Sequence, residues 1–147
     1  MSWLKDLEKY IKKYESNINE NSFEIINKVN GPGMGALIEF QNSNLKFQLV
    51  NDKLYFEIQV YINASKKIDL APLLAFINTD ERGIDLTKLT FKDKIEYWQI
   101  KYDYKDPLES FFINIDKIYK QISDSEALEK RLHAYYDKRG DWLFPKQ

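Results

Sequence analysis

The sequence predicts an α+β domain in which an antiparallel sheet of about three to five strands has helices packed on one face. Three observations lead to this fold class. Apolar and polar residues alternate with a period of two in segments between residues 36 and 62, as in strands with one buried face. Short connections rich in Asn separate these segments, which favours antiparallel neighbours. The flanking segments carry apolar residues at helical spacing, so the predicted order is helix, strands, helix, strand, helix, helix.

The strand predictions centre on a three-stranded meander. Its third strand, Leu54–Ile62, has an apolar residue at every second position, and Asn42–Asn44 and Asn51–Asp52 supply the turns. A less regular strand precedes it, in which Phe23, Ile25, Ile26 and Val29 do not alternate cleanly. The predicted strands are Ser22–Val29, Ala36–Gln41, Leu45–Val50, Leu54–Ile62 and Ile95–Tyr104, and residues 84–93 carry no assignment.

Two helices are predicted in the first half of the chain. Residues 2–17 carry an apolar stripe at three- and four-residue steps, with Ser2 as the N-cap. The polar segment Asn17–Asn21 indicates a break after this helix. Asp69–Asn78 is predicted to be helical because Asp69 can cap it and Pro72 fits its first turn.

Two further helices are predicted near the end of the chain. Asp106 followed by Pro107 is typical of a helix start, and the apolar stripe behind it continues over four turns to Ile122. The sequence Ser123–Glu126 has the spacing of a capping box, which opens the last helix. We expect that helix to end near Gly140, after two basic residues that suit a helix C-terminus.

Composition limits the classes of function. The chain has 147 residues, 44% of them hydrophobic, which predicts one domain over residues 1–147 with a sizeable core. The net charge of -1 and the absence of a basic stripe argue against a nucleic-acid partner. The longest apolar run, Leu70–Ile77, is too short to cross a membrane, and the N-terminus lacks a signal-peptide core. From these features we expect a protein that contacts no membrane. The chain has no Cys, which fits the cytoplasmic location that we expect.

Residue types that carry chemistry do not form a recognisable catalytic pattern. His133 is the single histidine and lies in a charged helical segment without a metal-binding spacing. Gly31, Gly33 and Gly35 resemble a phosphate loop, but a strand follows them and Pro32 removes an amide donor. The sequence therefore predicts no enzyme, no cofactor and no metal, although a pair of carboxylates acting in catalysis stays open as the less favoured alternative.

Acidic and aromatic residues are instead interpreted as a protein-binding surface. Acidic side chains in turns and helix starts are commonly solvated, and clustered ones can meet a basic partner. Tyr97 faces away from Trp98 in the predicted strand 95–104, and Tyr is a frequent interface anchor. The candidate protein-binding residues are Asp80, Glu81, Asp85, Tyr97, Asp103, Asp106 and Glu109.

The arrangement of these elements resembles small bacterial immunity-type proteins of toxin–immunity systems. The matching pieces are a Gly-rich turn with I-x-F in Gly33–Phe40, K-F-x-L-V-N-D and F-E-I in Leu45–Ile58, and the helical segments Leu108–Ile122 and Leu128–Arg139. The resemblance implies a protein that binds a cognate secreted toxin, often a nuclease, one-to-one and blocks its active site. The alternative is a secretion chaperone or adaptor, a class of proteins that are also small, acidic and α+β. The sequence leaves the oligomeric state open.

Overall fold

The computed structural model describes residues 2–31, 35–52, 55–81 and 106–143. Within these residues, five antiparallel strands form one sheet in the order β1-β2-β3-β4-β5, and helices precede and follow it, which confirms the α+β class. The strands are β1 (Glu24–Gly31), β2 (Gly35–Gln41), β3 (Lys46–Asp52), β4 (Tyr55–Tyr61) and β5 (Lys67–Asp69). The helices are α1 (Trp3–Lys12), α2 (Glu15–Glu20), α3 (Leu70–Glu81), α4 (Pro107–Ile113), α5 (Ile115–Ile122) and α6 (Ser125–Leu143). The predicted strand Ile95–Tyr104 and the unassigned residues 84–93 lie outside the described residues.

The period-two alternation of the central strands produces one buried face. Ile38 on β2 lies opposite Leu49 on β3, which lies opposite Ile58 on β4, and all three are fully buried. Phe47 lies at the centre of the core. Its ring centroid lies 4.9 Å from that of Phe40 and 4.3 Å from that of Phe111. The helices thus cover the inner face of the sheet, and one core cluster joins residues from the sheet and from helices on both sides of it in the chain.

Helix α1 begins where the sequence predicts. The Ser2 hydroxyl accepts a hydrogen bond from the Lys5 amide at 3.4 Å, and Leu7 is fully buried against the sheet. The start of α1 is fixed to β3 by Asn51, whose buried side-chain amide donates to the Trp3 carbonyl at 3.1 Å.

The predicted helix 2–17 is two helices, and the predicted break at Asn17–Asn21 is wrong. The chain leaves α1 after Lys12 and starts again as α2 at Glu15. Asparagine has a low helix propensity, but burial of Ile18 against the core stabilises this short helix. Packing therefore outweighs the polar composition of the segment.

The predicted four-turn helix after Pro107 is also divided, into α4 and α5. Asp106 caps α4 as predicted, with Pro107 in the first turn. The division lies at Asn114, whose side-chain amide donates to the Ser110 carbonyl at 2.8 Å. Asn side chains bond local backbone groups in this way and so compete with a continuous helix. The predicted stripe nevertheless faces the core, since Leu108, Phe111 and Ile118 are fully buried.

The ends of α6 differ from the prediction. Asp124, rather than Ser123, caps the helix, because its carboxylate accepts from the Ala127 amide at 3.2 Å while the Ser123 hydroxyl donates to the Lys120 carbonyl. The helix also continues through Gly140 to Leu143. A glycine inside a helix costs about 1 kcal/mol relative to alanine, which a 19-residue helix can tolerate.

The first turn of the meander uses the predicted chemistry. The Asn42 side chain accepts from the amides of Asn44 and Leu45 at 2.8 and 2.9 Å. Asn51 and Asp52, predicted to form the second turn, are instead the last residues of β3, where they pair with Phe56 and Tyr55 of β4.

One strand was not predicted. The three-residue strand β5 pairs with β4 just before α3. Asp69 ends β5, and its carboxylate accepts from the Gln59 side-chain amide at 3.0 Å. Over the part of the chain that the structure describes, no helix is both long enough and apolar enough to cross a membrane.

Candidate protein-binding surface

The structure describes only some of the candidate protein-binding residues named from the sequence. Asp80 and Glu81 fall in the last turn of α3, where the backbone alone is described. Asp106 and Glu109 lie together in the first turn of α4, and the Glu109 side chain is exposed. The remaining predicted residues, Asp85, Tyr97 and Asp103, lie outside the described residues.

The Asp106 side chain makes hydrogen bonds within the fold. Its two carboxylate oxygens accept hydrogen bonds from the hydroxyls of Tyr10 and Tyr14 on and after α1. The Tyr10 hydroxyl in turn accepts from the buried Leu108 amide at 3.0 Å. We name these three residues, Tyr10, Tyr14 and Asp106, the Tyr–Asp clamp. It joins the N-terminal helix to the start of α4.

The electrostatics of the Tyr–Asp clamp follow from burial and hydrogen bonding. Burial, with hydrogen bonds to Asp106, raises the pKa of Tyr10 and of Tyr14 well above the usual tyrosine value. Burial would raise the pKa of Asp106 as well, but the hydrogen bonds from Tyr10 and Tyr14 outweigh it and lower that pKa. The clamp therefore holds an ionised carboxylate and two neutral phenols near neutral pH.

Strand β1 forms an edge of the five-stranded sheet and is exposed along its length. Every side chain from residue 24 to residue 30 is exposed, including Ile25, Ile26 and Val29 at 43% to 47%. A register shift between Ile25 and Asn27 marks a β-bulge, which lets two consecutive isoleucines lie outside the core. The sequence carried a signal for this, the irregular alternation in the first strand, but not its exposure.

A groove lies between β1 and the two N-terminal helices. Its volume is about 390 Å³, and its apolar lining comes from Ile11, Ile18, Phe23, Ile25 and Phe40. We name it the β1 groove. It continues the apolar surface of the strand onto the helical layer.

Charged residues border the β1 groove unevenly. Glu15 and Glu24 lie on its rim with Lys12, and neither glutamate has an ion-pair partner among the described residues. The one lysine of β1, Lys28, is drawn toward α1 by Glu8 at 3.8 Å. The rim is therefore slightly acidic.

The outer face of the sheet around Glu39 is polar, and its side chains bond one another. Glu39 accepts from the Asn27 side-chain amide at 2.9 Å and from the Tyr61 hydroxyl at 3.1 Å, and it pairs with Lys46 at 3.1 Å. Hydrogen bonding from Asn27 is the main cause that lowers the pKa of Glu39, with Lys46 and Tyr61 acting in the same direction against burial. Gln48 and Gln59 extend the network toward β5. Since these groups bond one another, this face offers fewer open hydrogen-bonding sites than the edge at β1.

His133 lies on a second groove, of about 480 Å³, between α6 and the β4–β5 connection. It is 80% exposed and lies 3.2 Å from the Asp137 carboxylate one turn later. Lys66 and Glu129, which also line this groove, pair at 3.5 Å. Within residues 2–31, 35–52, 55–81 and 106–143, His, Asp and Glu side chains form no group of three or more that could hold a metal ion.

The edge of β1 together with the β1 groove is thus the candidate binding surface. It combines exposed apolar side chains, a strand edge that no other described strand pairs with, and carboxylates without an ion-pair partner among the described residues. Comparison of the chain with protein-family models, with curated proteins and with solved structures gives no match.

Proposed function

We propose that this protein is an immunity-type protein that binds a cognate bacterial toxin, a nuclease among the candidates, and blocks its active site. The observation that carries the proposal is the exposed apolar edge strand β1 beside the β1 groove. The class of partner comes from the resemblance of the strand meander and the late helices to immunity-type proteins. Such a protein acts through binding, and β1 supplies a surface suited to it.

The size of the apolar contact supports a binding role. Full burial of an isoleucine or valine side chain stabilises by about 1.5–3 kcal/mol. Ile25, Ile26 and Val29 each retain nearly half of their exposure, so covering each one contributes about 1 kcal/mol before the entropic cost of association. Ile25 lies opposite the buried Phe40 on the helix side of the sheet, and Val29 lies opposite Leu37 on the other side, so the apolar side chains flank the edge strand on both faces. A partner bound along this edge can contact both, and a few such side chains can carry much of the binding energy.

The test is one-to-one binding to the toxin encoded beside this protein. We expect calorimetry to give a tight 1:1 complex and co-expression to restore growth to cells that produce the toxin. The variants Ile25→Lys and Val29→Lys should weaken binding at least about tenfold, because each replaces an exposed apolar side chain of the edge strand by an ammonium. The matched control is Ile113→Lys, since Ile113 is 74% exposed at the end of α4 and does not line the β1 groove.

Two results would contradict the proposal. The first is failure of the unmodified protein both to bind and to neutralise the toxin. The second is a complex that Ile113→Lys weakens as much as Ile25→Lys does, with the unfolding midpoints of both variants unchanged. The second result would place the contact outside β1.

A further inference from the structure

We propose that the partner binds through an extended segment that joins the sheet as a sixth strand beside β1. One apolar side chain of that segment enters the β1 groove, and a lysine or arginine of the same segment meets Glu15 and Glu24. This inference rests on the proposed function and specifies what the partner must present.

The backbone of β1 favours strand addition. The strand pairs with β2 over seven register positions from Glu24 to Gly31, and in the sheet of described strands its other side lies at the edge. On an edge strand, alternate residues direct their N–H and C=O groups away from the neighbouring strand. An incoming extended segment bonds these groups as a sheet neighbour would, which supplies affinity largely independent of side chains.

The usual protection of an open edge is weakened in β1. Edge strands are commonly guarded by lysines that point outward and by short length. Here the strand has eight residues, and the ammonium of its one lysine, Lys28, is held toward α1 by Glu8. One register shift, between Ile25 and Asn27, interrupts the pairing near the groove, and the positions from Asn27 to Gly31 pair regularly with β2. The edge is thus accessible to a partner strand at its apolar end.

The side chains around β1 determine what the added segment carries. Ile25 lies on the wall of the β1 groove, so a partner residue opposite it would place its side chain over the groove, since directly opposed residues share a face. Ile11, Ile18 and Phe23 make that position apolar. The volume of about 390 Å³ is at the lower end of ligand-binding cavities, which fits one large aliphatic or aromatic side chain.

The charges on the rim of the β1 groove predict that the partner segment also carries a basic residue. Among the described residues that line the groove, Glu15 and Glu24 carry negative charge without an ion-pair partner, and Lys12 carries positive charge. A basic residue near the apolar anchor would complement this excess and speed association, and an acidic one would be repelled. The partner segment is therefore extended, apolar at one position and basic close to it.

A displayed library of random dodecapeptides, selected on the full-length protein, tests this without the toxin. We expect the selected peptides to share one large apolar residue with Lys or Arg within a few positions. Synthetic copies should bind about tenfold or more weakly to Ile25→Lys and equally well to the control Ile113→Lys. The double variant Glu15→Gln/Glu24→Gln should weaken them several-fold at low salt, and the difference should shrink at high salt.

Hydrogen–deuterium exchange then identifies the mode of binding. Strand addition should slow exchange of β1 amides at least about tenfold on peptide binding and leave α6 unchanged. The inference is overturned if no peptide is selected, if selected peptides ignore Ile25→Lys, or if the β1 amides exchange at the same rate with peptide bound. It is equally overturned if light scattering detects a dimer that Ile25→Lys abolishes, since a second copy of this chain would then occupy the edge.

The outcomes separate this inference from the proposed function. Peptides that bind as described, together with no binding of the neighbouring toxin, would retain the strand-addition site and reject the immunity role. A toxin complex in which the β1 amides exchange as fast as in the free protein would retain the immunity role and reject the strand-addition site.

Discussion

Replacing Asp106 by asparagine should destabilise the fold by about 2 kcal/mol, because the Tyr–Asp clamp depends on a carboxylate. Both oxygens of Asp106 accept a tyrosine hydroxyl. An asparagine side chain has one acceptor oxygen, and its NH₂ group cannot accept, so at least one hydroxyl loses the charged acceptor for its proton. A hydrogen bond to a charged group contributes about 1.5–3 kcal/mol net, which sets the magnitude.

Other substitutions in the Tyr–Asp clamp should differ in how much they lower the free energy of unfolding. Asp106→Ala also removes the cap of α4, which adds about 1 kcal/mol to the loss, whereas asparagine retains a good cap. Tyr10→Phe should cost more than Tyr14→Phe, because the Tyr10 hydroxyl also accepts from the buried Leu108 amide. Leaving that amide without a partner costs about 1–3 kcal/mol.

Urea denaturation followed by circular dichroism measures these differences. A double-mutant cycle between Tyr10→Phe and Asp106→Asn should give a coupling of at least about 1 kcal/mol. The charge-matched control Asp52→Asn, at an exposed residue ending β3, should stay within about 0.5 kcal/mol of the unmodified protein. The reasoning fails if Asp106→Asn behaves like Asp52→Asn, or if the two clamp substitutions are additive.

The same clamp predicts how stability depends on pH. Because the folded-state pKa of Asp106 is lowered, its contribution is complete above the ordinary carboxyl pKa of about 4 and is lost as the pH falls through the lowered value. The pKa values of Tyr10 and Tyr14 are raised, so their contribution is complete below about pH 10 and is lost at higher pH. Asp106→Asn should therefore flatten the acid limb of the stability profile. An unchanged acid limb in this variant would be evidence against the clamp.

Two further substitutions test the sheet. Gly35→Ala should cost at least about 3 kcal/mol, since Gly35 has φ of +90° and a Cβ there would lie 2.0 Å from the Asn51 carbonyl oxygen; a loss below about 1 kcal/mol in the free energy of unfolding would contradict this. Asn42→Ala should cost about 2 kcal/mol, because its side chain bonds the β2–β3 turn and also donates to the Asn21 carbonyl and the Tyr119 hydroxyl. The control Ser43→Ala, in the same turn and exposed, should leave the melting temperature nearly unchanged.

The meander could be predicted because its signal is local. The alternation over Leu54–Ile62 determines which side chains face the core, and a slip of one residue would expose all of them. Helix boundaries were predicted less well, because adjacent polar residues can each serve as the N-cap. Ser123 and Asp124 can both cap a helix, and the sequence does not indicate which one does. Strand β5 has one apolar residue, Ile68, and exists through its pairing with β4, so its own three residues carry no pattern.

The candidate surface was harder to predict than the fold. Asp106 was assigned both a cap and a place in an acidic patch, and the cap is confirmed. Its bonds to Tyr10 and Tyr14 join residues more than ninety positions apart, which no spacing rule reveals. Ile25 and Ile26 were assigned to a strand, and whether such residues are covered depends on the elements beside them. Exposure is a property of the whole fold, so the apolar edge could be found only in three dimensions.

The strictly sequential order of the sheet has a consequence for the folding pathway. Each strand pairs with the next one along the chain, so every hairpin closes a short loop and loses little chain entropy. The Tyr10–Asp106 bond instead closes a loop of 96 residues. We expect the hairpins to form first and this bond to close after the rate-limiting barrier. The strength of the Tyr–Asp clamp would then govern how long a folded molecule survives, and the hairpins would govern how quickly it is made.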